Sequence, residues 1–232
     1  MTATAAKSAA LDFDKARFNM VESQIRPNKV RDPRLLDALG NLPREMFVPQ
    51  ALAGIAYIDE DIEVVRGRYL LEPMVLARLM QEADIKPADR VLDIAPATGY
   101  STVILSALAQ NITAVESDPA LAQQASENLN RLEVKNARVE QGPLVDGFKP
   151  RGPYDVIIVN GSVEVLSPAL TAQLAEGGRL LVVVREFGPA KVAHKGAARL
   201  YEKIKGIVSH RALFDANVKL LPGFEARPSF AF

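Results

Sequence analysis

The sequence predicts an α/β protein whose mostly parallel sheet carries helices on both faces, with a helical extension at the N-terminus. Between residues 90 and 184, short apolar runs alternate with longer amphipathic segments of helical period. Each run is bounded by proline, glycine, asparagine or aspartate, the residues that favour turns. Two of the runs, residues 156–159 and 180–184, are apolar at consecutive positions, which is typical of parallel strands that helices cover on both sides.

The elements of this region follow one another in a regular order. Strands are predicted over residues 90–94, 112–116, 137–141, 154–160 and 179–184, and helices over residues 99–109, 119–132 and 168–174. Gly177 and Gly178 predict a turn before the last strand. A helix separates three of the four successive strand pairs and provides the crossover that parallel pairing needs, so the order itself supports a parallel sheet.

The chain before residue 86 predicts the helical extension. In residues 18–49 apolar residues recur at helical spacing, and Asp32 followed by Pro33 has the form of a helix N-cap with proline at the first helical position. A further amphipathic helix is predicted over residues 73–82. Residues 1–15 bury too little side-chain surface to offset the entropy of ordering, which predicts a flexible tail.

The chain after residue 184 is more polar. Residues 191–198 predict a loop, and the runs on either side of Gly206 predict an antiparallel strand pair at the sheet edge. Residues 185–211 hold seven Lys or Arg against two acids, with His194 and His210 but few aromatics, so a solvated loop and hairpin is favoured over an anionic partner. We expect a single domain over residues 16–232, with parts at 16–85, 86–184 and 185–232.

The composition excludes several classes of function. The 232 residues contain no cysteine and two histidines, so a disulfide framework, a thiolate nucleophile and a histidine-rich metal centre are excluded. Lys plus Arg and Asp plus Glu are 28 each, and the net charge of zero argues against a nucleic-acid or membrane-surface partner. No apolar run reaches the roughly 18 residues of a membrane span. The N-terminal residues lack the apolar stretch of a secretory signal, so the expected location is the cytoplasm.

One stretch has the features of a ligand site. Asp93 ends a predicted strand, a turn of small residues follows over 95–99, and a helix begins. Ligands of open α/β sheets bind beyond the carboxyl ends of the strands, where small residues let the backbone approach them. Glu116 ends the next strand 23 residues later, close to the spacing of about 20 at which an acid binds ribose hydroxyls. A plain strand-to-helix turn remains an alternative, whereas a NAD site is disfavoured because G-x-G-x-x-G is absent.

Several strings of the sequence carry a family resemblance. Residues 43–49 read Pro-Arg-Glu-Met-Phe-Val-Pro, residues 98–101 read Thr-Gly-Tyr-Ser, and residues 177–180 read Gly-Gly-Arg-Leu. With this spacing the chain resembles the protein-L-isoaspartate O-methyltransferase family from about residue 20 to residue 184. The resemblance implies a Rossmann-like methyltransferase fold. It also implies an enzyme that transfers a methyl group from S-adenosylmethionine to isoaspartyl carboxylates of proteins or peptides, a reaction of protein repair.

The resemblance also implies roles for the matching positions. Asp93 and the turn with Ala95, Ala97 and Gly99 would face the methionine part of the cofactor, and Glu116 would hold the ribose hydroxyls. Pro143 and Leu144 would lie at the adenine. The segment 67–73 matches the family's lid over substrate and cofactor, and within it Tyr69, Leu70 and Leu71 are the candidate substrate contacts.

The chain departs from the family pattern at three of these places. Ala95 and Ala97 replace glycines, and each adds a methyl group toward the cofactor and favours negative φ. Pro143 replaces the aspartate that reads the adenine amino group and has neither a carboxylate nor an N–H. Leu71 replaces the lid serine and cannot form a hydrogen bond, which leaves the catalytic residue unassigned. These departures predict weakened cofactor binding and keep open a non-catalytic or altered-substrate relative.

Overall fold

A computed structural model describes residues 12–187 and 193–226. Within these ranges, residues 186–187 and 193–195 are described by their backbone alone. Within those ranges the helices are α1 (Phe13–Asn19), α2 (Pro33–Asn41), α3 (Pro73–Glu82), α4 (Tyr100–Leu108), α5 (Pro119–Arg131) and α6 (Pro168–Ala172). The strands are β1 (Ile62–Val65), β2 (Arg68–Leu70), β3 (Arg90–Ile94), β4 (Asn111–Glu116), β5 (Ala137–Gln141), β6 (Tyr154–Val163), β7 (Leu174–Phe187), β8 (Ala193–Ile204) and β9 (Ile207–Asp215). A π-helical turn (Met20–Ile25) extends α1, and short 3₁₀ turns fill several connections.

The main sheet has the strand order β5-β4-β3-β6-β7-β8-β9. The first five strands in this order pair in parallel, and β8 and β9 continue the sheet as antiparallel strands. The predicted mostly parallel α/β fold is therefore confirmed, as is the antiparallel pair around Gly206. Strands β1 and β2 form a separate two-stranded hairpin.

The sheet lies between two apolar clusters, and the pleat of its strands divides their side chains between them. Val156 and Ile158 of β6 join the cluster that contains the N-terminal helices, α3 and α4. Ile157 and Val159 point the other way and join the cluster that contains Leu170 of α6. Because each such side chain contributes about 1.5–3 kcal/mol on burial, the two clusters together hold the strand ends in place.

Helix caps fix the connections next to the sheet. The Asp32 side chain accepts a hydrogen bond from Arg34 N, with Pro33 at the first helical position, as the sequence predicts. Asp118 caps α5 in the same way by accepting from the N–H groups of Ala120 and Leu121. Such caps contribute about 1 kcal/mol each and set where the chain turns after β4.

The loop predicted over residues 191–198 is wrong from residue 193 onward, because β8 begins at Ala193 and pairs with β7. Residues 191–192 lie outside the described residues. Gly196, which suggested a loop, lies in the strand because its backbone approaches Ala216 too closely for a side chain: a Cβ would be 2.2 Å from Ala216 O. The predicted Gly177–Gly178 turn is instead an irregularity inside β7, with φ of +74° at Gly177.

The predicted N-terminal tail and the basic segment are only partly described. Residues 1–11 lie outside the described residues, and residues 12–15 already form the cap and first residues of α1. In the basic segment, His210 stacks on Tyr201 with ring centroids 5.0 Å apart, and the side chain of His194 is not described. None of the helices over 12–187 and 193–226 is long and apolar enough to cross a membrane.

Candidate active site

Three polar side chains mark the point where the sheet changes winding direction. The chain runs outward from β3 through β4 to β5 and then returns to β6 on the other side of β3. Asp93, Glu116 and Asn160 occupy the carboxyl-end regions of β3, β4 and β6, and all three are buried. Ligands of open α/β sheets bind in the crevice at this place.

The turn after β3 keeps a left-handed backbone in spite of its alanines. Ala95 has a φ of +61° and Ala97 a φ of +52°, so the expectation that alanine would hold φ negative is wrong. Hydrogen bonds hold the strained backbone: Ala95 N donates to Val115 O (2.9 Å) and Ala97 N to Glu116 Oε2 (3.1 Å). The alanine side chains are buried in the two core clusters. The turn therefore has the backbone shape that glycines would give.

Gly99 closes this turn, and its backbone requires glycine. Its φ is +94°, and a Cβ would lie 3.2 Å from Ala125 Cβ and 3.3 Å from Ala125 Cα. Helix α4 begins at the next residue. The close approach of α4 to α5 is therefore part of what shapes the turn.

Asp93 is engaged by protein donors on both oxygens. Ser101 Oγ (2.8 Å) and Thr102 Oγ1 (2.7 Å) donate to Oδ2, and Asn160 Nδ2 donates to Oδ1 (2.6 Å). Burial raises the pKa of Asp93 to about 6, although the three hydrogen bonds favour the carboxylate. Asn160 Nδ2 also donates to Ile94 O (2.9 Å), so Asp93 and β3 together fix the orientation of the Asn160 amide.

Asn160 is a site residue that the sequence analysis missed. Its Oδ1 is buried and has no hydrogen-bond partner within the described part of the chain. Asn160 borders a small cavity together with Asp61, Tyr69, Leu71, Gly161 and Lys219. A polar residue that directly follows four buried apolar positions of β6 was the available signal. Because an unpaired buried acceptor is costly, this oxygen is a candidate to accept a hydrogen bond from a ligand.

Glu116 is held by an arginine that the sequence analysis also missed. Both guanidinium ends of Arg68 contact the carboxylate: Nη1 bonds Oε1, and Nη2 lies 2.7 Å from Oε2. Arg68 is 5% exposed and Glu116 0%. Ser117 N (2.7 Å) and Asp118 N (3.1 Å) also donate to Oε1. The carboxylate expected to bind ribose hydroxyls therefore has its oxygens occupied by protein groups.

Arg68 belongs to what we call the lid hairpin, residues 62–71, which comprises β1, β2 and Leu71. Leu70 and Leu71 are both buried, and the Leu71 carbonyl accepts a hydrogen bond from Arg44 Nη2 (2.7 Å). Tyr69 is half-buried and borders the cavity at Asn160. The Leu71 side chain thus packs in the core beside the cavity and gives it an apolar wall.

Acidic residues surround the end of the lid hairpin. Asp61 accepts from Glu72 N (2.9 Å) and from Lys219 N (3.0 Å), which ties the hairpin to the C-terminal segment. Burial, reinforced by the negative charges of Asp61, Asp59 and Glu60, raises the pKa of Glu72 to about 7. Glu72 therefore changes charge near neutral pH.

The loop after β5 offers apolar surface at the far side of Glu116. Gly142 N donates to the Glu116 carbonyl (3.0 Å), which places the loop beside the end of β4. Pro143 is exposed, and Leu144 is buried in the second core cluster. An adenine base next to this loop would pack against Pro143 and Leu144 and would not meet a carboxylate at position 143.

Comparisons with known proteins agree with this architecture. The family model described as Protein-L-isoaspartate(D-aspartate) O-methyltransferase matches residues 15–214. A protein-L-isoaspartate O-methyltransferase of Protochlamydia amoebophila is 39% identical over 165 residues, 71% of this chain and 79% of the relative. The one of Koribacter versatilis is 37% identical over 190 residues, 81% of this chain and 85% of the relative.

Solved structures show the same fold. A structure described as a protein-L-isoaspartate O-methyltransferase from Plasmodium falciparum, in complex with S-adenosyl-L-homocysteine, superposes with a TM-score of 0.74 at 19% identity. The superposition covers 91% of this chain and 99% of that chain. The family match over most of the sequence, together with the site at the ends of β3, β4 and β6, shows that the chain belongs to the protein-L-isoaspartate O-methyltransferase family.

Proposed function

We propose that this chain methylates isoaspartyl carboxylates of proteins or peptides, as a repair reaction, with S-adenosylmethionine as the methyl donor. Membership of the family makes the chain an S-adenosylmethionine-dependent O-methyltransferase. The observation that carries the proposal for this site is the left-handed turn at Ala95 and Ala97, in which Ala97 N donates to the Glu116 carboxylate. A non-catalytic relative gains no support from a turn whose backbone is left-handed at both alanines.

The residues present fit this donor, with one rearrangement. The unpartnered Asn160 Oδ1 is an acceptor suited to the α-ammonium of the methionine part, and Asp93 orients it. Glu116 is an acceptor suited to the ribose hydroxyls once Arg68 leaves it. Leu144 and Pro143 offer apolar contact to the adenine. Asp93 thereby acts as a positioning residue, because its own oxygens are already satisfied.

The chemistry asks little of the protein beyond alignment. S-Adenosylmethionine, when bound, supplies a sulfonium methyl group: a carboxylate oxygen bonds to the methyl carbon while the C–S electron pair stays on sulfur, giving a methyl ester and S-adenosylhomocysteine. No proton is transferred, so no general base is needed, and positioning supplies much of the rate. The buried Leu71 side chain lines the cavity at Asn160 and offers water no hydrogen-bond partner there.

A paired assay tests the proposal. The chain is incubated with S-adenosylmethionine and an isoaspartyl peptide, with the aspartyl peptide of the same sequence as control, while S-adenosylhomocysteine binding is measured by calorimetry. We expect methyl ester on the isoaspartyl peptide alone. Glu116→Gln should weaken S-adenosylhomocysteine binding at least about tenfold, and the matched variant Glu133→Gln, at an exposed acid, should not. Binding without methylation of the isoaspartyl peptide would refute the proposed acceptor.

A further inference from the structure

Arg68 reaches from the lid hairpin into the carboxyl end of β4. Arg68 and its partner Glu116 are 48 positions apart in sequence, and both are buried. Four of the five N–H groups of the guanidinium belong to the two terminal nitrogens that face Glu116. The fifth, on Nε, is buried and finds no acceptor in the described ranges. Arg68 is thus a buried cation whose one charged partner here is Glu116.

The Glu116 carboxylate cannot hold Arg68 and a ribose at once. Its two oxygens offer about four lone-pair positions. Arg68 takes one on each oxygen, the N–H groups of Ser117 and Asp118 share Oε1, and Ala97 N takes Oε2. The backbone N–H groups are fixed by the turn and by the start of α5, so the exchangeable partner is the arginine side chain.

The chain neighbours of Arg68 border the cavity at Asn160. The hairpin residues Gly67, Tyr69 and Leu71 border the cavity at Asn160, and Arg68 lies between the first two in the chain. A guanidinium that leaves Glu116 there needs a new anion, because an unpaired buried charge is strongly unfavourable. Leu71 offers no polar group, and both oxygens of Asp61 at the same cavity already accept hydrogen bonds from backbone N–H groups. The acceptor of the proposed reaction is itself a carboxylate, and the two oxygens of a carboxylate match the paired N–H groups of a guanidinium.

We propose that Arg68 exchanges carboxylates during turnover, pairing with Glu116 in the free chain and with the acceptor carboxylate once the donor ribose has taken Glu116. The inference rests on the proposed function and extends it to the group that binds the acceptor. It makes binding ordered, with the donor first, because the acceptor's arginine is released only by the donor. It also replaces the hydrogen bond that Leu71 cannot give.

The test compares Arg68→Gln and Arg68→Lys with Arg66→Gln, a matched change at an exposed arginine of the same hairpin. Removing the competitor should make Arg68→Gln bind S-adenosylhomocysteine more tightly than the wild type, by about threefold to tenfold. Its KM for the isoaspartyl peptide should rise at least about tenfold, with kcat changed far less. Arg68→Lys keeps a charge without the fork and should lie between, and Arg66→Gln should match the wild type. A folding defect would weaken both ligands together, so the opposite shifts are diagnostic.

Wild-type protein gives a test that depends on no variant. Calorimetry should show isoaspartyl peptide binding at least about tenfold more tightly with saturating S-adenosylhomocysteine than without it. Equal peptide affinity in both conditions, or weaker S-adenosylhomocysteine binding by Arg68→Gln at a temperature where that variant is fully folded, would overturn the exchange. If the wild type does not methylate the peptide at all, the proposed function fails first, and the two failures are thereby distinguished.

Discussion

Two buried carboxylates at neighbouring strand ends are satisfied in different ways. Asp93, on β3, accepts hydrogen bonds from the uncharged donors of Ser101, Thr102 and Asn160. Glu116, between β4 and the lid hairpin, has a cation, Arg68, from a separate element. The first arrangement is built into the sheet and α4 and positions an amide. The second arrangement depends on a side chain from a separate element, so it can be exchanged on ligand binding, as we propose.

The largest expected effect is on the charged pair. Arg68→Ala leaves Glu116 buried without its cation, and we expect the free energy of unfolding to fall by about 3–5 kcal/mol. The double variant Arg68→Met with Glu116→Gln removes both charges and should recover most of that loss. Urea unfolding of Arg68→Met, Glu116→Gln and the double variant gives the coupling energy of the pair directly. A loss below about 1 kcal/mol in Arg68→Ala would mean that the pair is solvated and weak.

The neutral environment of Asp93 predicts a pH dependence of stability. The pKa of Asp93 is about 6 in the folded chain and 3.8 in its unperturbed form. The contribution of protonated Asp93 to the free energy of unfolding is therefore fully present below about pH 4 and is lost as pH rises through 6. Asp93→Asn removes this titration. The stability of the variant relative to wild type should therefore rise by about 3 kcal/mol between pH 4 and pH 8. Urea unfolding at each pH measures this difference in free energy of unfolding. A difference that stays constant from pH 4 to pH 8 would contradict the raised pKa of Asp93.

Substitutions at two positions of the turn between β3 and α4 should differ in their effect on stability. Gly99→Ala places a Cβ 3.2 Å from Ala125 Cβ at a φ of +94°, and we expect a loss of about 2 kcal/mol in the free energy of unfolding. Ala97→Gly relieves backbone strain but removes a buried methyl group worth about 0.8 kcal/mol and frees the unfolded chain. These terms oppose one another, so a change below about 1 kcal/mol is expected. Thermal melts of both variants measure the contrast, and equal losses would count against it.

The smallest expected effect is at the rim of the lid hairpin. Glu72 has a pKa of about 7, so raising the pH from 6 to 8 adds a negative charge on the hairpin side of the cavity. The KM for a carboxylate acceptor should rise about two- to threefold over that range, as expected for a partly solvated charge. Glu72→Gln should flatten this part of the profile. A wild-type KM that stays constant from pH 6 to 8 would remove Glu72 from the acceptor's surroundings.

Most of the fold was predictable from the sequence because apolar periodicity reports directly on burial. The parallel strands, the helices between them and the cap at Asp32 are local features, and each is confirmed. The start of β8 was missed because Gly196 is also a loop residue by composition. The strand requires glycine at this position because its backbone lies close to Ala216, 20 residues later in the chain.

The candidate site was less predictable, for two physical reasons. Positive φ at Ala95 and Ala97 is held by hydrogen bonds to β4, which a residue preference cannot anticipate. The Arg68–Glu116 pair joins residues 48 positions apart, and an arginine in a hairpin is usually a solvated surface residue. Asp93 and Glu116 were found as strand-end acids, and of the missed residues Asn160 had a readable local signal, since it follows directly on the apolar run of β6.

A crystal structure of the wild-type chain with S-adenosylhomocysteine would show whether Glu116 exchanges Arg68 for the ribose. We expect ribose hydroxyls within about 2.7–3.2 Å of the Glu116 oxygens, with the Arg68 guanidinium withdrawn toward the cavity at Asn160. Ligand bound in the crevice while Arg68 still holds both oxygens of Glu116 would contradict this exchange.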